Sequence, residues 1–225
     1  MRRGMGKKNK MASTVIQGAD GPTSVFIAGK GKDSNIIRRL RTEIQRKQYQ
    51  RRRARAAAGL TTDAHSLAEV CIYIREQYHA EEVDASDIHY REEYRSLKAS
   101  MIQKYQPELL GEPLPPYDFT DVEAVKNYLE KCEERVQRAV GIPPEQFPFD
   151  FHQYQITIDG CGRLDIVMDF SHDYISYSYS AEKGGRKVMD GIVKDIWLYY
   201  GVSKEDIEQE SERMQALLTI LASMR

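Results

Sequence analysis

Residues 153–180, QYQITIDGCGRLDIVMDFSHDYISYSYS, decide the fold. Apolar side chains fall on alternate positions in three successive runs: Tyr154/Ile156/Ile158, Leu164/Ile166/Met168/Phe170 and Ile175/Tyr177/Tyr179. A period of two is that of a strand, whose side chains point alternately to opposite faces. Asp159-Gly160-Cys161-Gly162 and Ser171-His172-Asp173 separate the runs with turn-forming residues. The pattern predicts a three-stranded antiparallel meander over about 153–180 with one apolar face. The opposite face of its middle strand carries Asp165, Val167 and Asp169. Two carboxylates are costly to bury without partners, so this face is expected to be open to water.

An apolar sheet face needs a cover, and two helical patterns follow directly. Val188, Met189, Ile192, Ile196 and Tyr199 line residues 186–200, which Gly201 closes; Ile207, Met214, Leu217, Leu218 and Leu221 line a helix starting at Ser203. The chain is therefore expected to be α+β and helix-rich, with the meander under two C-terminal helices. Three further helices are read upstream. A capping box, Ser66–Glu69, starts one with Leu67, Val70, Cys71, Ile74 and Tyr78 on its face. A second begins near Ser86, carries Ile88, Tyr94, Leu97, Met101 and Tyr105, and stops at Pro107. Thr120–Glu123 opens a third, lined by Val122, Val125, Leu129, Cys132 and Val136 and closed by Gly141. The Pro-rich stretch 107–118 reads as a connector. The expected division is a basic N-terminal arm (1–60), a helical segment (61–106), the connector (107–118) and an α+β domain (119–225).

The arm stands out by charge. The 225 residues hold 33 Lys/Arg and 34 Asp/Glu, a net charge of −1. Residues 1–60 carry 16 Lys/Arg against Asp20, Asp33 and Glu43, a charge of +13, and the remainder carries −14. Residues 13–29 read as a hairpin with a wide loop, and 35–58 as a long helix capped by Asp33 or Ser34 and ended by Gly59. Ile36, Ile37, Leu40 and Ile44 give its first turns an apolar stripe; beyond them the stripe stops. Between Arg38 and Arg55 there are nine Lys/Arg and one acid, Glu43, with Gln48, Tyr49 and Gln50 interleaved. Guanidinium and ammonium groups neutralise phosphates, arginine stacks on bases, and Gln or Tyr can reach base edges. Arg46, Lys47, Arg51, Arg52, Arg53 and Arg55 are thus candidates for contact with a polyanion. The alternative is that the helix stays solvated or docks on the acidic stretches Glu76–Asp87 or Glu205–Glu212.

Hydrophobic residues make up 41% of the chain and charged residues 30%, which suits a globular protein and excludes a low-hydrophobicity disordered one. Three cysteines cannot form a disulfide framework, and a reducing, cytoplasmic setting is expected. No apolar run reaches the length of a secretory h-region or a membrane span, so no membrane contact is expected.

Gly18-Ala19-Asp20-Gly21-Pro22-Thr23 resembles the Gly-Gly-Ala-Asp-Gly-Pro-Thr stretch of the β subunit of sodium-pumping decarboxylases of the oxaloacetate decarboxylase type. In that family the stretch lies in the membrane and its aspartate serves the sodium site; Asp20 is the matching position. The resemblance covers about a dozen residues. Gln17 stands in place of the first glycine, and no membrane span surrounds the motif. It implies a shared turn in place of a pump.

Other candidate chemistry is sparse. Cys161 lies in a turn at the opposite end of the strands from His152 and His172, too far for a Cys–His dyad. His152 and His172 share one end of the meander with Asp150 and Asp173, as a metal site, an acid/base pair or ordinary loop polarity. His79, Glu82, Asp84, Asp87 and His89 cluster in an inter-helix connection, where acids cap and solvate. No nucleotide, nucleophile-elbow or zinc motif is present. The expectation is a non-enzymatic binding protein with no catalytic residues, metal or cofactor, an enzyme of unknown class being the third reading. Its basic arm is the contact surface for an unknown protein partner or, alternatively, for RNA or DNA through residues 38–55.

Overall fold

The computed structural model describes residues 34–114 and 121–224, with backbone alone for residues 34–37, 39 and 40. The expected hairpin at 13–29, the decarboxylase-like motif around Asp20, and the side chains of Ile36, Ile37 and Leu40 lie outside the described residues. Seven α-helices and four strands are found among the described residues: α1 Ser34–Ala58, α2 Leu67–Tyr78, β1 Glu81–Glu82, α3 Ile88–Tyr105, α4 Val122–Gly141, β2 Phe151–Ile158, β3 Gly162–Asp169, β4 Tyr174–Ala181, α5 Arg186–Tyr200, α6 Lys204–Glu208 and α7 Glu212–Ser223. The class is α+β, as the sequence suggests. The sheet is antiparallel, in the order β1-β2-β3-β4. It has four strands in place of the expected three. The extra one, Glu81–Glu82, pairs with Gln155 and Tyr154 and is too short and too acidic to carry a strand pattern.

Two compact units are built from interleaved segments. Among the described residues the first takes 34–80, Ile156–Ile166 and 176–224; the second takes 81–114, 121–155 and Val167–Ile175. Residues 107–114 lie in the second unit, and residues 121–224 contribute to both.

In the first unit α5 is the central helix. Met189, Ile192, Val193, Ile196, Trp197 and Tyr200 are buried along it, and Trp197 meets Tyr177 of β4 edge-on at 5.1 Å. α2 adds Leu67, Val70, Cys71 and Ile74. Its capping box forms as expected: Ser66 Oγ accepts from Glu69 N and Glu69 Oε2 from Ser66 N. Gly201 ends α5 at φ 62, and a Cβ there would stand 1.8 Å from the Asp63 carbonyl, so only glycine fits. The single C-terminal helix expected from Ser203 onward is two. α6 ends at Gln209, Glu210 takes a left-handed φ of 49, and Ser211 caps α7.

In the second unit the core is Ala99, Met101, Ile102, Leu110, Ala139, Ile142 and Phe147. Pro107–Leu110, expected to be plain connector, forms a 3-10 turn with Leu110 buried. Asp121, in place of Thr120, caps α4 by accepting from Glu123 N. Ile88, Val122, Leu129 and Tyr105, expected on buried faces, are exposed. Lys98 on α3 is 3% exposed, because its Nζ donates to the Ile142 carbonyl at 2.7 Å where α4 ends; burial holds its pKa below the usual lysine value.

β3 corrects the sequence reading. Its face bearing Asp165, Val167 and Asp169 is buried (9%, 7% and 0% exposed), and so is the face bearing Leu164, Ile166 and Met168. The strand is covered on both sides. Asp165 pairs with Arg163 at 3.1 Å, and Asp169 is enclosed by hydrogen-bond donors described below, which is what makes burial of the two carboxylates tolerable. Phe170 leaves the strand and opens a 3-10 turn.

Candidate nucleic-acid interface

α1 docks along one narrow line. Tyr49, Arg53, Ala56 and Leu60 are half-buried while most of the helix around them is exposed. The helix packs on α7. Arg53 is bound there, its guanidinium donating to Gln215 Oε1 and, at 3.3 Å, to Thr219 Oγ1. Arg53, one of the candidates for polyanion contact, is thus tied to α7. Its partners are a neutral amide and a hydroxyl, not the acidic stretches that charge alone suggested. Ile44, expected to continue an apolar stripe, is 55% exposed.

The other five candidates, Arg46, Lys47, Arg51, Arg52 and Arg55, are exposed. None of the five has a hydrogen bond or ion pair with another described residue. A helix turns by about 100° per residue. On that wheel Arg52, Arg55, Arg51 and Lys47 sweep from one flank of the docked line round to the far side, and Arg46 lies on the other flank.

The Arg52 flank borders a groove of about 910 Å³. Gln45, Gln48, Tyr49 and Arg52, spaced at i, i+3, i+4 and i+7, form one wall, and Gly184, Arg186, Lys187 and Asp190 form the other, with Ala222 and Ser223 beside them. Gly184 and Gly185 lead directly into α5. Gly185 is buried there because its Cα packs on the Cys161 carbonyl, where a Cβ would stand 1.9 Å away. The groove adds Arg186 and Lys187 to the basic surface. Their proximity to α1 depends on tertiary packing; Gln45 was not singled out in the sequence, although its i, i+3, i+4, i+7 spacing with Gln48, Tyr49 and Arg52 is the signal that could have found it. Gln50 faces away from this groove.

One acid sits in the wall. Asp190 Oδ1 accepts from the Tyr179 hydroxyl at 2.6 Å, and Arg186 Nε lies 3.8 Å from its other oxygen. Burial, and then the bond to Asp190, push the Tyr179 pKa up to about 12, so the hydroxyl keeps its proton and holds the carboxylate.

The second polar cluster belongs to the other unit. Asp169, fully buried, accepts from Asp150 N and Ser171 N through Oδ1 and faces His172 Nδ1 at 2.6 Å through Oδ2. The His172 ring lies between Tyr105 and Phe147, with centroids 4.8 and 4.9 Å away. His152 is held separately, Nδ1 to Glu82 at 2.8 Å and Nε2 to Asp150 at 3.2 Å. Asp173 stands at the 3-10 turn's end in a left-handed conformation. Asp150 links the two histidines, its carboxylate facing His152 and its N–H donating to the Asp169 that holds His172. Among the described residues no group of three or more His, Cys, Asp or Glu side chains could hold a metal ion, and no helix is long and apolar enough to cross a membrane. Cys161 lies half-exposed in the β2–β3 turn, and Asp84 and Asp87 cap the turns before α3.

No protein family, no curated protein and no solved structure matches this chain.

Proposed function

We propose that this protein is a non-enzymatic binding protein that uses its basic N-terminal helix and the adjoining groove to contact nucleic acid. The observation that carries the reading is the set of unpaired cations along α1. Arg46, Lys47, Arg51, Arg52 and Arg55 have no acid to neutralise them among the described residues. Arg186 and Lys187 extend the same positive surface across the groove. A row of unpaired guanidinium and ammonium groups neutralises phosphates and releases counterions. The broader reading is a contact surface for any acidic partner. Gln45, Gln48 and Tyr49 in the groove wall favour a nucleic acid, since amides and a phenol ring suit base edges and base faces.

The test is retention of labelled RNA and DNA at rising salt. If all seven cations engage phosphates of a single strand, log K falls against log salt with a slope of about −5. Replacing Arg51, Arg52 and Arg55 together with alanine should abolish retention and leave the fold intact. An absence of retention by the unaltered protein at ~50 mM salt would sink the proposal. Retention unaffected by these substitutions would move the contact elsewhere.

A further inference from the structure

The groove points to a narrower ligand than the basic helix does. Resting on the proposal above, we infer that the groove takes a single-stranded nucleic acid, with one unstacked base against Tyr49. A bare basic helix has no reason to prefer single strands, because a duplex carries the denser charge. The groove supplies that reason. Its volume of about 910 Å³ lies within the range of pockets that enclose small organic ligands. Tyr49 is half-exposed in its wall and makes no ring contact with another described residue. A base inside a duplex has both faces covered by its neighbours, so it cannot stack on that ring; an unpaired base can. Gln45 and Gln48 lie within one turn of Tyr49 on the same wall, also without described partners. Each amide offers both a donor and an acceptor to the Watson–Crick edge of a base, which is free only when unpaired. Arg52 and Lys187 line the same groove as the ring and offer positive charge to the flanking phosphates. Asp190 disfavours a phosphate at its own end of the groove, which limits where the backbone can run.

The experiment is fluorescence anisotropy with a labelled 12-nucleotide strand, as RNA and as DNA, each free and annealed to its complement, at one salt concentration. The full chain should bind the free strands at least ~5-fold more tightly than the duplexes. Tyr49→Ala should weaken single-strand binding by ~5- to 100-fold, the range of one base–aromatic stack, and leave duplex binding within ~2-fold. Tyr49→Phe should restore it. Tyr49 also touches the docked line of α1, so helicity by circular dichroism and the duplex arm together check that α1 stays in place. Equal or tighter binding of duplex, with Tyr49→Ala acting alike on both, overturns the inference while the proposed function stands. Binding of neither form overturns both. The RNA and DNA arms separate a site that uses the ribose 2′-hydroxyl from one that does not.

Discussion

The two units use the same kinds of side chain to opposite ends. In the second unit several cations and polar groups are consumed internally. Lys98 caps the end of α4, Arg135 donates to Gln103 and the Glu112 carbonyl, and His172 serves buried Asp169. In the first unit α1 engages Arg53, one of the six candidate cations, and leaves the other five to solvent. Sequence composition does not separate Arg53 from Arg52. What separates them is whether a carbonyl or carboxylate waits where the side chain ends. A cation with a buried partner stabilises the fold; a row without partners is available to a ligand.

The largest expected effect lies in the second unit. Asp169→Ala leaves two backbone N–H groups and His172 without their acceptor in a site closed to water. It should cost about 3–5 kcal/mol in urea unfolding, as for one partner removed from a buried charged network. A cost under about 1 kcal/mol would mean that water reaches the site.

β3 offers the next contrast. Ile166→Asp and Val167→Asp point to opposite faces, and both faces are buried. Each should destabilise by several kcal/mol, measured by the same denaturation midpoint. A mild Val167→Asp would restore the water-open face that the sequence suggested. The interleaving of the units makes a related statement about fragments. Residues 119–225 lack α2, with Val70 and Ile74, and α3, with Met101 and Ile102, all buried. That fragment should melt broadly by circular dichroism, whereas the full chain should unfold cooperatively.

A smaller effect should appear at high pH. The Tyr73 and Tyr78 hydroxyls both donate to Asp195. Burial, and then these bonds, push the Tyr73 pKa up to about 12 and raise that of Tyr78 as well. The folded chain therefore keeps phenolic protons that the unfolded chain loses near pH 10. Stability is unaffected below pH 10 and falls as pH climbs from there through about 12. Tyr73→Phe with Tyr78→Phe should flatten this alkaline slope, read from urea midpoints at successive pH values.

The smallest change in stability belongs to α1. Arg51→Ala or Arg55→Ala should shift unfolding by less than about 0.5 kcal/mol, while Arg53→Ala, which loses two hydrogen bonds to α7, should cost about 1 kcal/mol. In nucleic-acid retention the order should reverse, with Arg52→Ala more damaging than Arg53→Ala. Arg46→Ala, on the flank away from the groove, should do least. Equal effects across these positions would show a diffuse charge contact with no role for the groove.

Local physics made much of this legible in the sequence. Period-two runs placed β2, β3 and β4 to within a few residues, because alternation is a property of neighbours along one strand. The capping box at Ser66, the stop at Gly59 and the C-cap at Gly201 were readable because each depends on bonds within a turn. The basic character of α1 was plain from composition. Four things needed the folded chain. β1 exists because Glu81 and Glu82 meet Tyr154 and Gln155, far away in sequence. Asp169 is buried because Asp150, Ser171 and His172 converge on it, against its own preference for water. Arg53 is a docking residue because Gln215 and Thr219 lie opposite it, 162 and 166 positions later. The groove exists because Arg186 and Lys187 come to face Arg52. Hydrophobic period and turn chemistry act between residues a few positions apart, so one strand or helix reveals them. A partner for a charge or a wall for a groove comes from distant segments, and only packing decides which segments meet.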